Sequence, residues 1–592
     1  MPSCLRSKAR LRKSSAWRSL RVVAINVCVA VTCAAVTQVA WSAQPIASGD
    51  LTIKAADDSE TVQFALTLPL RDKDDLANAL KNLYNPLNPK YRHFLSSSEF
   101  RSKYAPTEAE YSALKKFATD SGLVITNEHA GRSLLNVSAS VEKVRKIFNS
   151  RMYWRQTKEG KQYLAPDVEP TNPAELSVLG GGVVALRQKP LRSFISMVQS
   201  NAGATPAAGS GPGGSYEPAD LKAAYNLGGI QNGGEPVALV ELSSATYSDA
   251  AVYAGQFGLN NPALTQIAVD GGTTDTSGNS EVMLDIEMVM AASNATNIYV
   301  YTSPNTIANL LDVYTKIADD NLVGQVSTSW GICESDLGSS NASQENQVFT
   351  QMAAQGMAVF AASGDYAAYG CDTSVIGVED PASQPYVTGV GGTTLNTTSS
   401  QGYVSESVWY DSAPSNGNAY EGGGGGVSAF WAIPSYQAGV TPQSSQFSKT
   451  MRNVPDVALD ADLNTGFYIY CSTCTSQNGA GWGVWGGTSA SAPLWAAFWS
   501  LVNKGLAASG VTPVRAGFAN PALYAIAENP RWYALGFHDV TSGGNGYYNA
   551  VSGYDNASGW GSYNGANLYQ TIIGRIKGAE IVPVINYLLR SD

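Results

Sequence analysis

From Tyr216 to the C-terminus, short apolar runs alternate with longer stretches of helical periodicity. That alternation predicts an α/β domain, a parallel sheet with helices on both faces. Ahead of it, from Leu51 to about Leu191, strand-like and helix-like pieces mix, which predicts a small α+β unit. In this leading unit VQFALTL at 62–68 alternates so that Val62, Phe64, Leu66 and Leu68 share one face. Residues 74–84, 108–120 and 141–148 carry the 3.6-residue period of helices, and 123–126 and 134–137 read as strands between the second and third. Past Tyr216, residues 237–242, 298–301, 324–329 and 358–362 read as buried strands, with helices over 283–292 and 307–318.

At 592 residues and 44% hydrophobic content, the chain is long enough for more than one core. Only 15% of it is charged while Gly (58) and Tyr (30) are plentiful, the profile of an exported, loop-rich globular protein and not of a disordered one. The net charge of −10 is unevenly spread: residues 216–592 carry 10 Lys and Arg against 31 Asp and Glu, and residues 1–215 carry 28 against 17. Two such parts attract near neutrality and let go as carboxylates protonate, which suits an inhibitory segment released in acid. The plainer alternative is that acid-stable proteins carry few bases. So acidic a main domain argues against nucleic acid as a partner.

Arg6, Lys8, Arg10, Arg12, Lys13, Arg18 and Arg21 surround and precede the start of a mostly apolar run over 22–36, with small residues at 40–43. This is the pattern of a secretion signal over 1–43. The apolar run is short for a membrane span, so none is expected after signal removal; an uncleaved anchor is the alternative. Residues 44–199 then form the leading unit. Residues 200–215, SNAGATPAAGSGPGGS, lack periodicity and read as a flexible linker open to an activating cut, with the main domain over 216–592. Cys4, Cys28 and Cys33 leave with the signal. Cys333, Cys371, Cys471 and Cys474 remain, an even number that favours two disulfides in an exported protein. Of the three pairings, Cys471–Cys474 as a local clip with Cys333–Cys371 as a longer tie is favoured; a four-cysteine zinc site or a redox C-x-x-C pair is the alternative.

Gly486-Gly-Thr-Ser489-Ala-Ser-Ala-Pro493 sets a serine among small residues at the start of a helix, the setting of a nucleophile. Its base would ordinarily be histidine. The chain holds only His93, His129 and His538, the first two within the removable leading unit, so a carboxylate base working in acid is expected instead. Glu281-Val-Met-Leu-Asp285 offers one. With Ser280 as N-cap, Glu281 and Asp285 lie four residues apart on one helical face, close enough to share a proton. Glu287 falls off that face and reads as a surface acid. Alone, the pattern is most often a solvated helix face. Asp365, in Ala361-Ala-Ser-Gly-Asp365, follows the C-terminal end of a strand, where open α/β sheets carry their sites. A lone Asp there is usually a cap, but a neutral one can donate to an oxyanion. Asp539 and Asp555 bracket Gly-rich backbone and suit a hard cation, against an even alternative of a turn with capping carboxylates.

Taken together, these motifs resemble the sedolisin family of serine-carboxyl peptidases, in the manner of pro-kumamolisins. The resemblance is carried by Val237-Ala-Leu-Val-Glu241-Leu, Glu281-Val-Met-Leu-Asp285-Ile-Glu, Ser327-Thr-Ser-Trp330-Gly and Ser363-Gly-Asp365. Pro381-Ala-Ser-Gln-Pro-Tyr, Val454-Pro-Asp-Val-Ala, Gly486-Gly-Thr-Ser489-Ala-Ser-Ala-Pro, His538-Asp-Val-Thr and Gly553-Tyr-Asp555 continue it. In the leading unit, Tyr84-Asn-Pro-Leu-Asn-Pro-Lys-Tyr-Arg-His-Phe-Leu resembles the family's pro-domain signature. The resemblance implies a subtilisin-like sheet preceded by a ferredoxin-like pro-domain. It implies Ser489 as nucleophile, Glu281 as base, Asp285 as its orienting partner and Asp365 as the acid of the oxyanion hole. It also implies one structural calcium ion, held by Asp539, Asp555 and the carbonyls of Val540, Val551 and Gly553, with Val551 in place of a usual Gly. Asp365-Tyr366-Ala367 departs from the family's Ser-Gly after the Asp, which puts the wall of the substrate cleft in question. Glu241 and Trp330 stand where some members extend the carboxylate network.

The expected protein is thus a secreted, monomeric, self-processing acid endopeptidase, held inactive by its own pro-domain and cleaving peptide bonds through an acyl-enzyme. A tripeptidyl-peptidase is the alternative within the family, told apart by product lengths. An inactive binding protein on the same fold is the alternative outside it, told apart by an acid cleavage assay. An ordinary subtilisin is disfavoured because no His-Gly-Thr-His segment exists, and an α/β-hydrolase because Gly487-Thr-Ser489-Ala-Ser491 lacks the final Gly of that elbow.

Overall fold

The computed structural model describes residues 50–197, 209–230, 233–371, 375–412, 420–474 and 481–588. The expected secretion signal over 1–43, and the expected linker as far as residue 208, lie outside the described residues.

In the leading unit a four-stranded antiparallel sheet runs in the order Val124–Glu128, Leu134–Ser140, Thr61–Thr67, Gly182–Val184. Helices Glu108–Asp120 and Val141–Phe148 pack on one face of it through Val62, Phe64, Leu66, Leu114, Ala118, Val144 and Phe148. Strand order and connections are those of a ferredoxin-like β-α-β-β-α-β unit. Its helices begin where the sequence supplies caps: Thr107 and Glu110 form a capping box, and Ser140 accepts the Lys143 amide. A smaller sheet of Leu51–Ala55, Met152–Gln156 and Gln162–Pro166 extends the unit.

The main domain carries an eight-stranded sheet. Its path is Ala263–Ala268, Asn297–Thr302, Val237–Glu241, Gln325–Thr328, Ala358–Ala362, Thr388–Thr397 and Tyr403–Val408, with Val457–Asp460 also paired to Thr388–Thr397. Every pairing is parallel except that of Tyr403–Val408. Alternate side chains divide between two cores. Leu239, Val300 and Phe360 face helices Asn279–Ser293 and Thr488–Ala508, while Ala238, Val240, Val359 and Ala361 face Ile307–Asp320 and Ser339–Ala354. Helices thus cover both faces, as the run of apolar strands predicts.

Helix Asn279–Ser293 corrects two expectations. Ser280 is not the N-cap; that position is Gly278, and Ser280 lies inside the helix. Glu287 is not a surface acid: it is buried and accepts the Tyr470 amide at 2.8 Å. The helix packs against Thr488–Ala508 on one side and against Phe467–Tyr470 on another, so it has no solvated face. Both favoured disulfides form, Cys333–Cys371 with Cα atoms 4.8 Å apart and Cys471–Cys474 with 5.3 Å.

Between the two units the chain runs as two short strands. Arg192–Ser193 pairs antiparallel with Trp330–Cys333, and Ser196–Met197 pairs antiparallel with Trp482–Gly486.

Candidate active site

Helix Thr488–Ala508 begins one residue before Ser489 and follows Gly487, whose φ of 109° favours glycine. Because this helix packs on Asn279–Ser293, the first turns of the two helices bring Ser489 and Glu281 together in a buried site. The Ser489 hydroxyl lies beside the Glu281 carboxylate and favours its charged form. Neither Ser489 Oγ nor either Glu281 oxygen makes a hydrogen bond of normal geometry. Such contacts are often loose until substrate binds.

One turn along, Asp285 faces Ser329, whose Oγ lies 2.8 and 3.0 Å from its two carboxyl oxygens and 3.4 Å from the Ser489 carbonyl oxygen. The Asp285 carboxyl lies beside that of Glu241, and Trp330 Nε1 donates to Glu241 Oε2 at 3.1 Å. A buried chain therefore runs from Trp330 through Glu241 and Asp285 towards Glu281 and Ser489. Asp365 enters from the other side, after strand Ala358–Ala362. Its Oδ1 accepts the Thr488 amide and the Thr488 hydroxyl, each at 2.8 Å. Its Oδ2 accepts no hydrogen bond among the described residues and points into the space beside Gly487, where a Cβ would stand 2.5 Å away.

Burial governs the protonation of this group. It lifts Glu281 well above the ordinary carboxylate range, helped by the neighbouring charges of Asp285 and then Glu241. It lifts Asp285 to about 8 against the bonds of Ser329 and Glu241, and it lifts Glu241 and Asp365 well above their ordinary values. The coupled Glu281–Asp285 pair therefore keeps a shared proton, and Asp365 its own, to unusually high pH. No histidine serves the site among the described residues: the His538 ring stacks on Tyr403 at 3.7 Å, and His129 Nε2 lies 2.8 Å from Asp312.

A stability effect follows. A carboxyl whose folded pKa is raised binds its proton more tightly folded than unfolded, so stability is full in acid and declines as pH rises through the folded value. For Asp285 that window runs from 3.8 to about 8. The thermal midpoint of the Ser489→Ala protein is expected to fall across this range, and Asp285→Asn to flatten the fall. A midpoint that rises from pH 4 to pH 8 contradicts this.

Tyr366, the departure after Asp365, lies beside Arg192, with the guanidinium carbon 4.7 Å from its ring centroid. At the C-terminal end, Asp539 accepts from Ser552 Oγ at 2.8 Å and from the Gly553 amide, while Asp555 accepts the Val551 amide at 2.8 Å. Both carboxylates thus turn to the same three-residue loop. Among the described residues no three His, Cys, Asp or Glu side chains are grouped to hold a metal. Two carboxylates and the carbonyls of Val540, Val551 and Gly553 are nevertheless an all-oxygen donor set, and that chemistry fits calcium.

Sequence reasoning missed two supporting residues, Ser329 on Asp285 and Thr488 on Asp365. Both sit inside quoted motifs, but their hydroxyl roles exist only once the motifs meet in space.

The family model described as "Pro-kumamolisin, activation domain" matches residues 49–199. Kumamolisin from Bacillus sp. (strain MN-32) is 30% identical over 540 residues, covering 88% of this chain and 93% of that protein. The solved structure of Pseudomonas sedolisin (serine-carboxyl proteinase), complexed with two molecules of pseudo-iodotyrostatin, superposes with a TM-score of 0.54 at 27% identity, over 61% of this chain and 98% of that one. Tripeptidyl-peptidase 1 from Canis lupus familiaris is 25% identical over 607 residues, 93% of this chain and 98% of that protein.

Proposed function

The chain belongs to the sedolisin family of serine-carboxyl peptidases, and from that premise we propose a secreted, acid-acting endopeptidase made as a self-processing zymogen. The observation that carries the reading is the placement of Glu281 beside Ser489, where a histidine-based enzyme would hold its imidazole. With the one proton of the coupled pair on Asp285, Glu281 is ionised, and Ser489 Oγ attacks the substrate carbonyl and passes its proton to Glu281. Asp285 shares a proton with Glu281 and is itself held by Ser329. The oxyanion is met by the Ser489 amide and by the proton on Asp365 Oδ2, with the carboxyl fixed through Oδ1 on Thr488. Glu281 returns the proton to the leaving amine, and water then releases the acyl group by the same route. As pH rises, Asp365 loses the proton it must donate, and activity falls.

The N-terminal pattern over 1–43 and two disulfides support export. No helix among the described residues is long and apolar enough to cross a membrane. The pro-domain is the intramolecular inhibitor: Lys189 lies 2.7 Å from Asp336 and His129 lies 2.8 Å from Asp312, so basic side chains of one unit meet carboxyl groups of the other. Digestion of a denatured protein at acid pH tests the activity. An endopeptidase yields fragments of varied length, a tripeptidyl-peptidase yields tripeptides, and an inactive binding protein yields nothing.

Asp539, Asp555 and the carbonyls of Val540, Val551 and Gly553 would hold a calcium ion, which would supply stability to the C-terminal loop and no chemistry at Ser489. Chelation is expected to lower the thermal midpoint, and Asp539→Ala to abolish the response to added calcium. A midpoint unchanged by chelator removes the ion from the account.

A further inference from the structure

We propose that the Phe194–Ile195 peptide bond is the first bond this zymogen cuts, presented to Ser489 within the same molecule. The proposal rests on the peptidase reading above and names its first substrate. Phe194 lies between the two short strands that cross the site. Its amide donates to the Ser329 carbonyl at 3.2 Å, and its carbonyl oxygen accepts the Ser489 amide at 3.1 Å. A Cβ on Gly487 would stand 2.2 Å from that oxygen and 2.5 Å from Asp365 Oδ2. The carbonyl oxygen of Phe194 and the unpartnered carboxyl oxygen therefore converge on one small space, and only glycine at 487 leaves it open. That is the arrangement an oxyanion hole requires.

The flanking residues fix the register. The Phe194 side chain is buried, and its ring packs on Gly331, where a Cβ would come within 2.7 Å of it. On the leaving side, Ser196 pairs with Gly486 and Met197 with Trp485, and Ser196 Oγ donates to Glu421 at 3.1 Å. On the acyl side, Arg192 pairs with Gly331; its guanidinium lies over Tyr366, donates to the Gly370 carbonyl at 2.6 Å and pairs with Glu379. One residue further, the Leu191 N–H donates to Asn305 Oδ1 at 2.8 Å, and Asn305 Nδ2 donates to the Leu191 carbonyl at 3.0 Å. Four residues before the bond are thus held in an extended cleft that continues upstream, the cleft of an endopeptidase. The same contacts predict a preference for peptides with an aromatic residue before the cut and Arg two positions earlier.

In the reaction, Ser489 Oγ bonds to the Phe194 carbonyl carbon, and the Ile195 nitrogen leaves with the proton carried by Glu281. Water then hydrolyses the ester, giving a Phe194 carboxylate on the pro-domain and Ile195 as the new N-terminus. Any cut within 200–215 becomes a later trimming step.

The test is a time course of the purified full-length zymogen shifted from neutral to acid pH, read by intact mass and N-terminal sequence. The first new termini are expected at Phe194 and Ile195, at a rate independent of zymogen concentration. Phe194→Asp is expected to slow that step by at least about tenfold, as loss of a fitting side chain does elsewhere. A synthetic peptide of residues 191–197 is expected to be cut by the mature enzyme between Phe and Ile. A first cut at another bond, in an enzyme that then digests unrelated peptides, overturns this proposal and leaves the peptidase reading standing. So does a rate proportional to concentration, which overturns presentation in cis. No processing and no digestion of any peptide overturns the peptidase reading itself.

Discussion

Ser489→Ala is expected to leave a full-length precursor that never shortens in acid and to lower peptide hydrolysis on the order of a millionfold, as removal of a serine nucleophile does in other proteases. The serine is fully buried and its Oγ makes no hydrogen bond of normal geometry, so the substitution removes the nucleophile without removing a structural bond. The variant should fold, bind its own pro-domain and remain silent. Full maturation of the purified variant, with no other protease present, would remove Ser489 from the mechanism.

Glu281→Gln is the second large effect. A glutamine of the same shape cannot take the serine proton, and loss of a triad member elsewhere costs on the order of 10⁴-fold or more in rate. A carboxylate is already a weaker base than imidazole by about 2 pKa units, roughly 3 kcal/mol of driving force, so little catalytic margin remains. Stability should move the other way. Glu281 is buried, pushed up by burial and by Asp285, and neither of its oxygens has a hydrogen-bond partner of normal geometry. A neutral amide there escapes the cost of ionisation that grows as pH rises, so the variant should melt higher than wild type near neutrality. An active Glu281→Gln enzyme contradicts the assignment.

Much of the fold was legible because local signals agreed with the tertiary answer. The helices at Glu108–Asp120 and Val141–Phe148 begin at capping residues, and the strands of the main sheet are apolar because helices cover both faces. Helix Asn279–Ser293 was harder. It is buried on nearly every side, so its pattern has no polar face to read, and Glu287 could not be told from a surface acid. The carboxylates and the serine stood out through residue type and spacing. Ser329 and Thr488 did not, because a hydroxyl that positions a carboxylate leaves no trace until strands and helices converge. The crossing segment was also hidden: its strands are two residues long, and their partners lie more than a hundred residues away.

The central claim is that carboxyl groups, not histidine, run the proton transfers. It is tested most directly by the pH dependence of kcat/KM for the mature enzyme, measured in parallel with His538→Ala. Activity is expected to be high in acid, to fall as rising pH strips the protons from Asp365 and from the Glu281–Asp285 pair, and to keep the same profile shape in the His538→Ala enzyme. Activity that instead rises through neutrality with an apparent pKa of about 6.5, and loses that rise in His538→Ala, would contradict it.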